Sequence, residues 1–169
     1  MTARLAARRG ARVVLAARNE RALQRACSDI EAVGGSAAYA VCDVAREEEV
    51  EHVADVAERR FGRIDCWVNN AASTVYAALA QLSTDDARRL FDVTFWGMVH
   101  GCQTAVPRLR ERGGVIVNLG STPSDRAMPL LGMYAATKHA VKGYTDALRM
   151  ELEAARLPIS VSLVKPASI

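Results

Sequence analysis

The sequence predicts an α/β protein built on a doubly wound parallel sheet, and three observations carry that expectation. Five short apolar runs recur along the chain, longer amphipathic stretches lie between them, and glycines close several of those stretches. The runs show little polar alternation, which suits strands covered on both faces, while the stretches between them repeat apolar residues at helical spacing. Strand and helix therefore alternate, the order that generates a parallel sheet flanked by helices.

The chain opens on a helical fragment, Thr2 to Arg9, which Gly10 stops. The first strand is Arg12 to Ala17 (RVVLAA), followed by a helix from Glu20 to Val33 that Gly34 and Gly35 close. Ala37 to Cys42 (AAYAVC) is the second strand, and the helix after it, Glu47 to Phe61, ends at Gly62. The third strand is Ile64 to Asn69 (IDCWVN), and a long helix from Thr84 to Arg112 runs to Gly113 and Gly114. Val115 to Leu119 (VIVNL), a helix from Leu131 to Arg156 and a last strand from Ile159 to Val164 (ISVSLV) complete the order. Glycine just past a helix is the usual stop, because it adopts the left-handed turn without strain. No repeat, low-complexity tract or linker interrupts the pattern, so residues 1–169 are expected to form one domain. Ligands of such sheets sit beyond the carboxyl ends of the strands.

Half of the 169 residues are hydrophobic, enough to bury a core without disulfide or metal support. The formal net charge is only +3, which gives no electrostatic reason to expect nucleic acid or an anionic membrane as partner. Cys27, Cys42, Cys66 and Cys102 form no C-x-x-C pair and read as reduced, mostly buried thiols. His52, His100 and His139 are not three or four residues apart from one another, so no metal site is expected. The opening MTARLAARRG lacks the apolar run of a signal peptide, and no stretch reaches the roughly 18 apolar residues of a membrane span. A cytoplasmic location is the expectation.

The residues with most chemistry are Ser121, Tyr134 and Lys138, in NLGSTPSDRAMPLLGMYAATK. Tyrosine and lysine four apart share one helix face, so the ammonium can stabilise a phenolate and make the tyrosine a usable acid or base. Ser121 follows the fourth strand, where its hydroxyl can hydrogen-bond a carbonyl oxygen. Taken alone, Tyr-x-x-x-Lys is a weak motif that many solvated helix faces carry.

The serine stands thirteen residues before the tyrosine, and in this the chain resembles the short-chain dehydrogenase/reductase family. The resemblance runs from about residue 2 to 169. It implies a Rossmann-like doubly wound sheet in a three-layer sandwich, a nicotinamide cofactor and a small carbonyl or alcohol substrate. Asn69-Asn70-Ala71-Ala72 is similar to the family's Asn-Asn-Ala-Gly, which places Asn70 and Ala71 beside the adenosine half of the cofactor. Asp43 would bond the adenine ring and Val44 pack on it, although an aspartate in such a place is also a common helix cap. Pro166-Ala167 resembles the family's Pro-Gly beside the nicotinamide, and Ile169 would meet the carboxamide. Arg18 ends the first strand, where the adenosine ribose would arrive; an arginine there pairs with a 2′-phosphate, so NADP is expected over NAD. The two long helices imply a homo-oligomer.

Three departures accompany the resemblance. Thr94, in FDVTFWG, stands where the family has the asparagine whose main-chain carbonyl holds a water near the lysine, so Thr94 joins the catalytic set through its carbonyl. The glycine-rich Thr-Gly-x-x-x-Gly-x-Gly loop and the family's first strand have no counterpart, and neither does the family's substrate lid, so the domain is expected to be truncated at both ends. In the family the first strand lies between the first and third strands of this chain, and its loss would leave unpaired backbone groups on both. Two functions stay open: an NADP-dependent oxidoreductase interconverting a carbonyl and an alcohol, or an inactive truncated member that uses the fold only for association.

Overall fold

A computed structural model describes residues 2–166 and divides the chain into two compact units, Met1–Ile64 and Asp65–Ile169. The first unit runs α1 (Thr2–Arg8), β1 (Arg12–Ala17), α2 (Glu20–Glu31), β2 (Ser36–Val41) and α3 (Glu47–Phe61). β1 and β2 pair in parallel, with Arg12 opposite Ser36 and Ala17 opposite Val41. Asn19 starts α2 by accepting the Ala22 N–H on its side-chain oxygen at 3.0 Å, which satisfies one of the helix's orphan donors. α3 places Glu47, Glu48 and Glu49 in its first turn and Arg59 and Arg60 in its last, each matched to the local sign of the helix dipole. Gly62 ends α3 in the left-handed region at φ 85, donating its N–H to the Glu58 carbonyl at 2.8 Å. Ala7, Cys27, Ile30 and Ala37 form the core of this unit, with Val13, Leu15 and Tyr39 packed against them.

The second unit runs β3 (Cys66–Asn69), α4 (Thr84–Phe91), α5 (Gly97–Leu109), β4 (Gly114–Leu119), α6 (Gly132–Ala154) and β5 (Ile159–Val164). Its sheet has the order β3-β4-β5, all parallel. Among the described residues β1 therefore pairs only with β2, and β3 only with β4. Strand and helix alternate as the sequence predicts, and the strand ends fall within two residues of the predicted ones.

Two expectations change. The helix predicted from Thr84 to Arg112 is α4 and α5 joined by a π turn, Asp92–Trp96, which fits an extra residue into the helix. The apolar pattern of DVTFW continues across the turn, so periodicity alone could not find it. Nor are all strands covered on both faces. α5 packs on β3 and β4 and α6 on β5, burying Ile116 and Asn118 completely. Side chains on the opposite face of the same sheet, Val68, Val115 and Val164, are exposed, because the helices of this unit lie on one side only.

Gly101 shows how closely α5 approaches the sheet. A Cβ there would lie 2.0 Å from Asn69 Oδ1 and 2.7 Å from Trp67 Nε1. Replacing a helix-interior glycine by alanine ordinarily stabilises by about 1 kcal/mol, whereas overpacking costs about 1–3 kcal/mol. The clash wins at Gly101, so Gly101→Ala is expected to lower the unfolding free energy in urea. Gly143→Ala, on α6 with open space around its Cβ position, should raise it by about 0.5–1 kcal/mol.

Candidate functional site

Tyr134 and Lys138 lie on the first two turns of α6, which begins at Gly132. Lys138 is buried and its Nζ donates to the Leu119 carbonyl at 2.5 Å while lying 5.7 Å from the Tyr134 ring centroid. Leu119 is the last residue of β4, and Ser121 follows two positions on with extended backbone. The Ser121 N–H donates to Ser124 Oγ at 3.0 Å and the Ser124 N–H to the Ser121 carbonyl at 2.9 Å, which fixes the serine at the head of a 3-10 turn, Thr122–Ser124. α6 packs against that turn. The structure thus brings together a strand's carboxyl end and one helix face, joined by the Lys138–Leu119 bond, with Ser121 and Tyr134 partly exposed. Burial lowers the Lys138 ammonium from its ordinary 10.5 to about 8, since the charge is taken out of water.

Thr94 sits in the π turn, and its side chain is committed elsewhere. Oγ1 accepts the Ser73 N–H at 3.1 Å and donates to the Ser73 carbonyl at 3.3 Å, tying the helix to the loop after β3 that holds Asn70 and Ala71. Both of those residues are exposed. Pro166 is exposed after β5, and the preceding Lys165 pairs with Asp125 at 2.7 and 2.8 Å, linking that segment to the turn that Ser121 opens. Ala167 and Ile169 lie outside the described residues.

Arg18, Asp43 and Val44 belong to the first unit, at the carboxyl ends of its two paired strands; the Cys42 N–H donates to the Ala17 carbonyl at 2.9 Å immediately before them. Arg18 is exposed. Asp43 does not cap α3, whose N-cap is Arg46; its Oδ1 accepts the Ala45 N–H at 3.1 Å in a local turn. The neighbouring Glu49 reaches back, Oε2 accepting the Asp43 N–H at 2.7 Å and Oε1 bonding Arg46 at 3.0 Å, and these bonds hold its carboxyl below the usual range.

The sequence motifs do not single out Asn118, which lies on β4 three residues before Ser121 and is fully buried. It accepts from Asn69 Nδ2 at 2.8 Å and donates to Thr145 Oγ1 at 3.0 Å. A polar residue inside an apolar run was the signal that could have found it. Leu130 was missed too: its backbone is left-handed at φ 62, and its carbonyl accepts the Ala77 N–H at 3.0 Å. A leucine in that conformation costs about 1–2 kcal/mol, and such strain collects at functional sites. Among the described residues no group of three or more His, Cys, Asp or Glu is placed to hold a metal, and no helix is long and apolar enough to cross a membrane.

The parallel α/β fold places Ser121 just after a strand's carboxyl end and Tyr134 and Lys138 on the helix that follows. The family model described as short chain dehydrogenase matches residues 1–169, and the chain belongs to that family. It is 42% identical over 171 residues to the uncharacterized oxidoreductase YxnA of Bacillus subtilis (strain 168), covering 100% of this chain and 48% of that protein. A crystal structure of a short chain dehydrogenase/reductase from Burkholderia phymatum in complex with NAD superposes with a TM-score of 0.91 at 31% identity, over 94% of this chain and 57% of that one. A metagenomic short-chain oxidoreductase in complex with NADP gives a TM-score of 0.89 at 27% identity, over 98% and 75%. The chain therefore spans about half the length of the curated relative it matches.

The buried Lys138 leaves a signature independent of turnover. The folded chain releases this proton at about 8, the unfolded chain at 10.5, so between those values the unfolded state binds more protons and stability must rise with pH. Subtracting the unfolding free energy of Lys138→Met from that of the wild type, at intervals from pH 7 to 10.5, should give a difference that climbs across this window. A flat difference would mean that the ammonium is solvated.

Proposed function

We propose that the protein interconverts a carbonyl and an alcohol with NADP as hydride carrier, Tyr134 transferring the proton. The observation that carries this reading is Lys138, buried, bonded to Leu119 and set against the Tyr134 ring. An ammonium there stabilises negative charge on the phenol oxygen, so the tyrosine can give a proton to a developing alkoxide or take one from an alcohol. Ser121 donates its hydroxyl to the same oxygen and polarises it. Thr94 contributes through its backbone carbonyl, its hydroxyl being occupied by Ser73.

The bound nicotinamide supplies or accepts the hydride. In the first unit an exposed Arg18 follows β1 and Asp43 and Val44 follow β2; in the second unit Asn70, Ala71 and Pro166 are exposed after β3 and β5. Arg18 would pair with the 2′-phosphate, Asp43 and Val44 receive the adenine, Asn70 and Ala71 flank the adenosine, and Lys138 and Tyr134 hold the nicotinamide ribose. Pro166 and, beyond the described residues, Ala167 and Ile169 would border the nicotinamide. The homo-oligomer is read onto the two long helical stretches, Thr84 to Arg112 and Leu131 to Arg156, where Trp96 in the π turn and Met150 on α6 leave apolar surface exposed.

The test is NADPH oxidation by the full product of the reading frame with a panel of ketones and aldehydes. Tyr134→Phe should cut turnover by about 10²- to 10⁴-fold, the usual worth of a positioned general acid. Arg18→Glu should weaken NADPH binding by about tenfold or more while sparing NADH, because it replaces a charge-assisted contact with a repulsive one. Full activity in Tyr134→Phe would sink the mechanism, and an unchanged NADPH to NADH ratio in Arg18→Glu would sink the cofactor preference.

A further inference from the structure

We propose that the substrate's non-reacting part is apolar and rests on Tyr76, Leu79, Met128 and Leu130; this rests on the oxidoreductase reading and adds the substrate's chemical class. These four side chains are 73%, 63%, 40% and 55% exposed, and all come from the two loops that border Tyr134. Large apolar groups gathered at that exposure mark a surface meant to be covered.

Their placement ties them to the candidate site. Leu130 stands four residues before Tyr134, and Met128 lies in the segment that Ser121 opens. The Leu79 side chain lies against Gly132, 2.9 Å from where a Cβ would be, two residues before Tyr134. The Ala77 N–H to Leu130 carbonyl bond, at 3.0 Å, joins the segment after β3 to the loop before α6, the two segments that carry the four residues.

Leu130 supplies the second observation. A residue at φ 62 would ordinarily be glycine or asparagine, yet a leucine is held there with its side chain outward. An apolar side chain kept exposed on a strained backbone is explained by contact with something apolar that comes and goes. The charges of the two segments are largely answered internally, since Asp125 is paired with Lys165. Arg126 is the loop's further charge, which makes a carboxylated substrate the discriminating control.

The occupant is a ketone or alcohol with an aliphatic or alicyclic body of several carbons. Each methylene buried on such a wall is worth about fourfold in affinity. Binding of 2-butanone, 2-octanone and 7-oxooctanoate to the full chain with NADP⁺ is measured by ligand-observed NMR, a readout that needs no turnover. The expected result is 2-octanone bound at least tenfold tighter than either other compound. In Leu130→Asn, which suits the left-handed backbone and so preserves the fold, that preference should shrink about fivefold. Leu79→Ala, away from the strained residue, should shrink it as well. A 7-oxooctanoate affinity equal to or above that of 2-octanone would overturn the proposal, as would a preference unchanged in both variants. An apolar preference without NADPH oxidation would refute the oxidoreductase reading alone. Turnover favouring the oxo acid would refute the apolar wall alone.

Discussion

Much of the second unit depends on one buried amide. Asn118 sits in the middle strand of three, with no exposed surface, and is bonded to Asn69 on β3 and to Thr145 on α6. Thr145 passes its hydroxyl to the Val141 carbonyl at 2.6 Å, and Asn69 accepts the Trp67 indole N–H at 2.8 Å. Each of these groups would cost about 1–3 kcal/mol if left buried without a partner, so the network favours one seating of α6 on the sheet. The residue after Asn118 is Leu119, whose carbonyl receives Lys138. A misplaced Asn118 would carry the lysine, and with it the phenol, out of position.

The same dependence explains the glycine at 101. α5 lies so close to β3 that a Cβ on Gly101 would strike the Asn69 side chain. Cys102 follows, fully buried, with its thiol pushed up to about 11 by burial, so it packs as a small apolar group beside the two asparagines. Small residues on one helix and amides on two strands form a single arrangement, in which a larger atom at one place displaces hydrogen bonds at another.

What was legible from the chain follows from how local each cause is. β1, β5 and α3 have the bounds that the apolar runs, the helical spacing and Gly62 predict, because these signals lie within or next to their own residues. The placement of Ser121 after a strand end, and of Tyr134 and Lys138 four apart on one helix, was legible from spacing. The Asn118 network was not, since its partners stand 49 and 27 residues away. Leu130's backbone was hidden for a related reason: nothing in a leucine suggests a left-handed turn, and a bond from Ala77, on another loop, accompanies it. The uncovered face of β3 to β5 was misjudged because an apolar run says that both faces seek cover, not which element provides it.

Two features of the site work against stability, and they lie four residues apart on either side of Tyr134. A buried ammonium held by a carbonyl and an aromatic ring is less favourable than a neutral side chain of the same length, and a left-handed leucine is less favourable than a left-handed glycine. Neither residue is needed to build α6, whose seat on the sheet is fixed by Asn118 and Thr145. A fold selected for stability alone would discard both. Their coincidence around one partly exposed tyrosine fits the reaction proposed for it: a charge beside the ring, and an apolar surface for what the phenol would act upon.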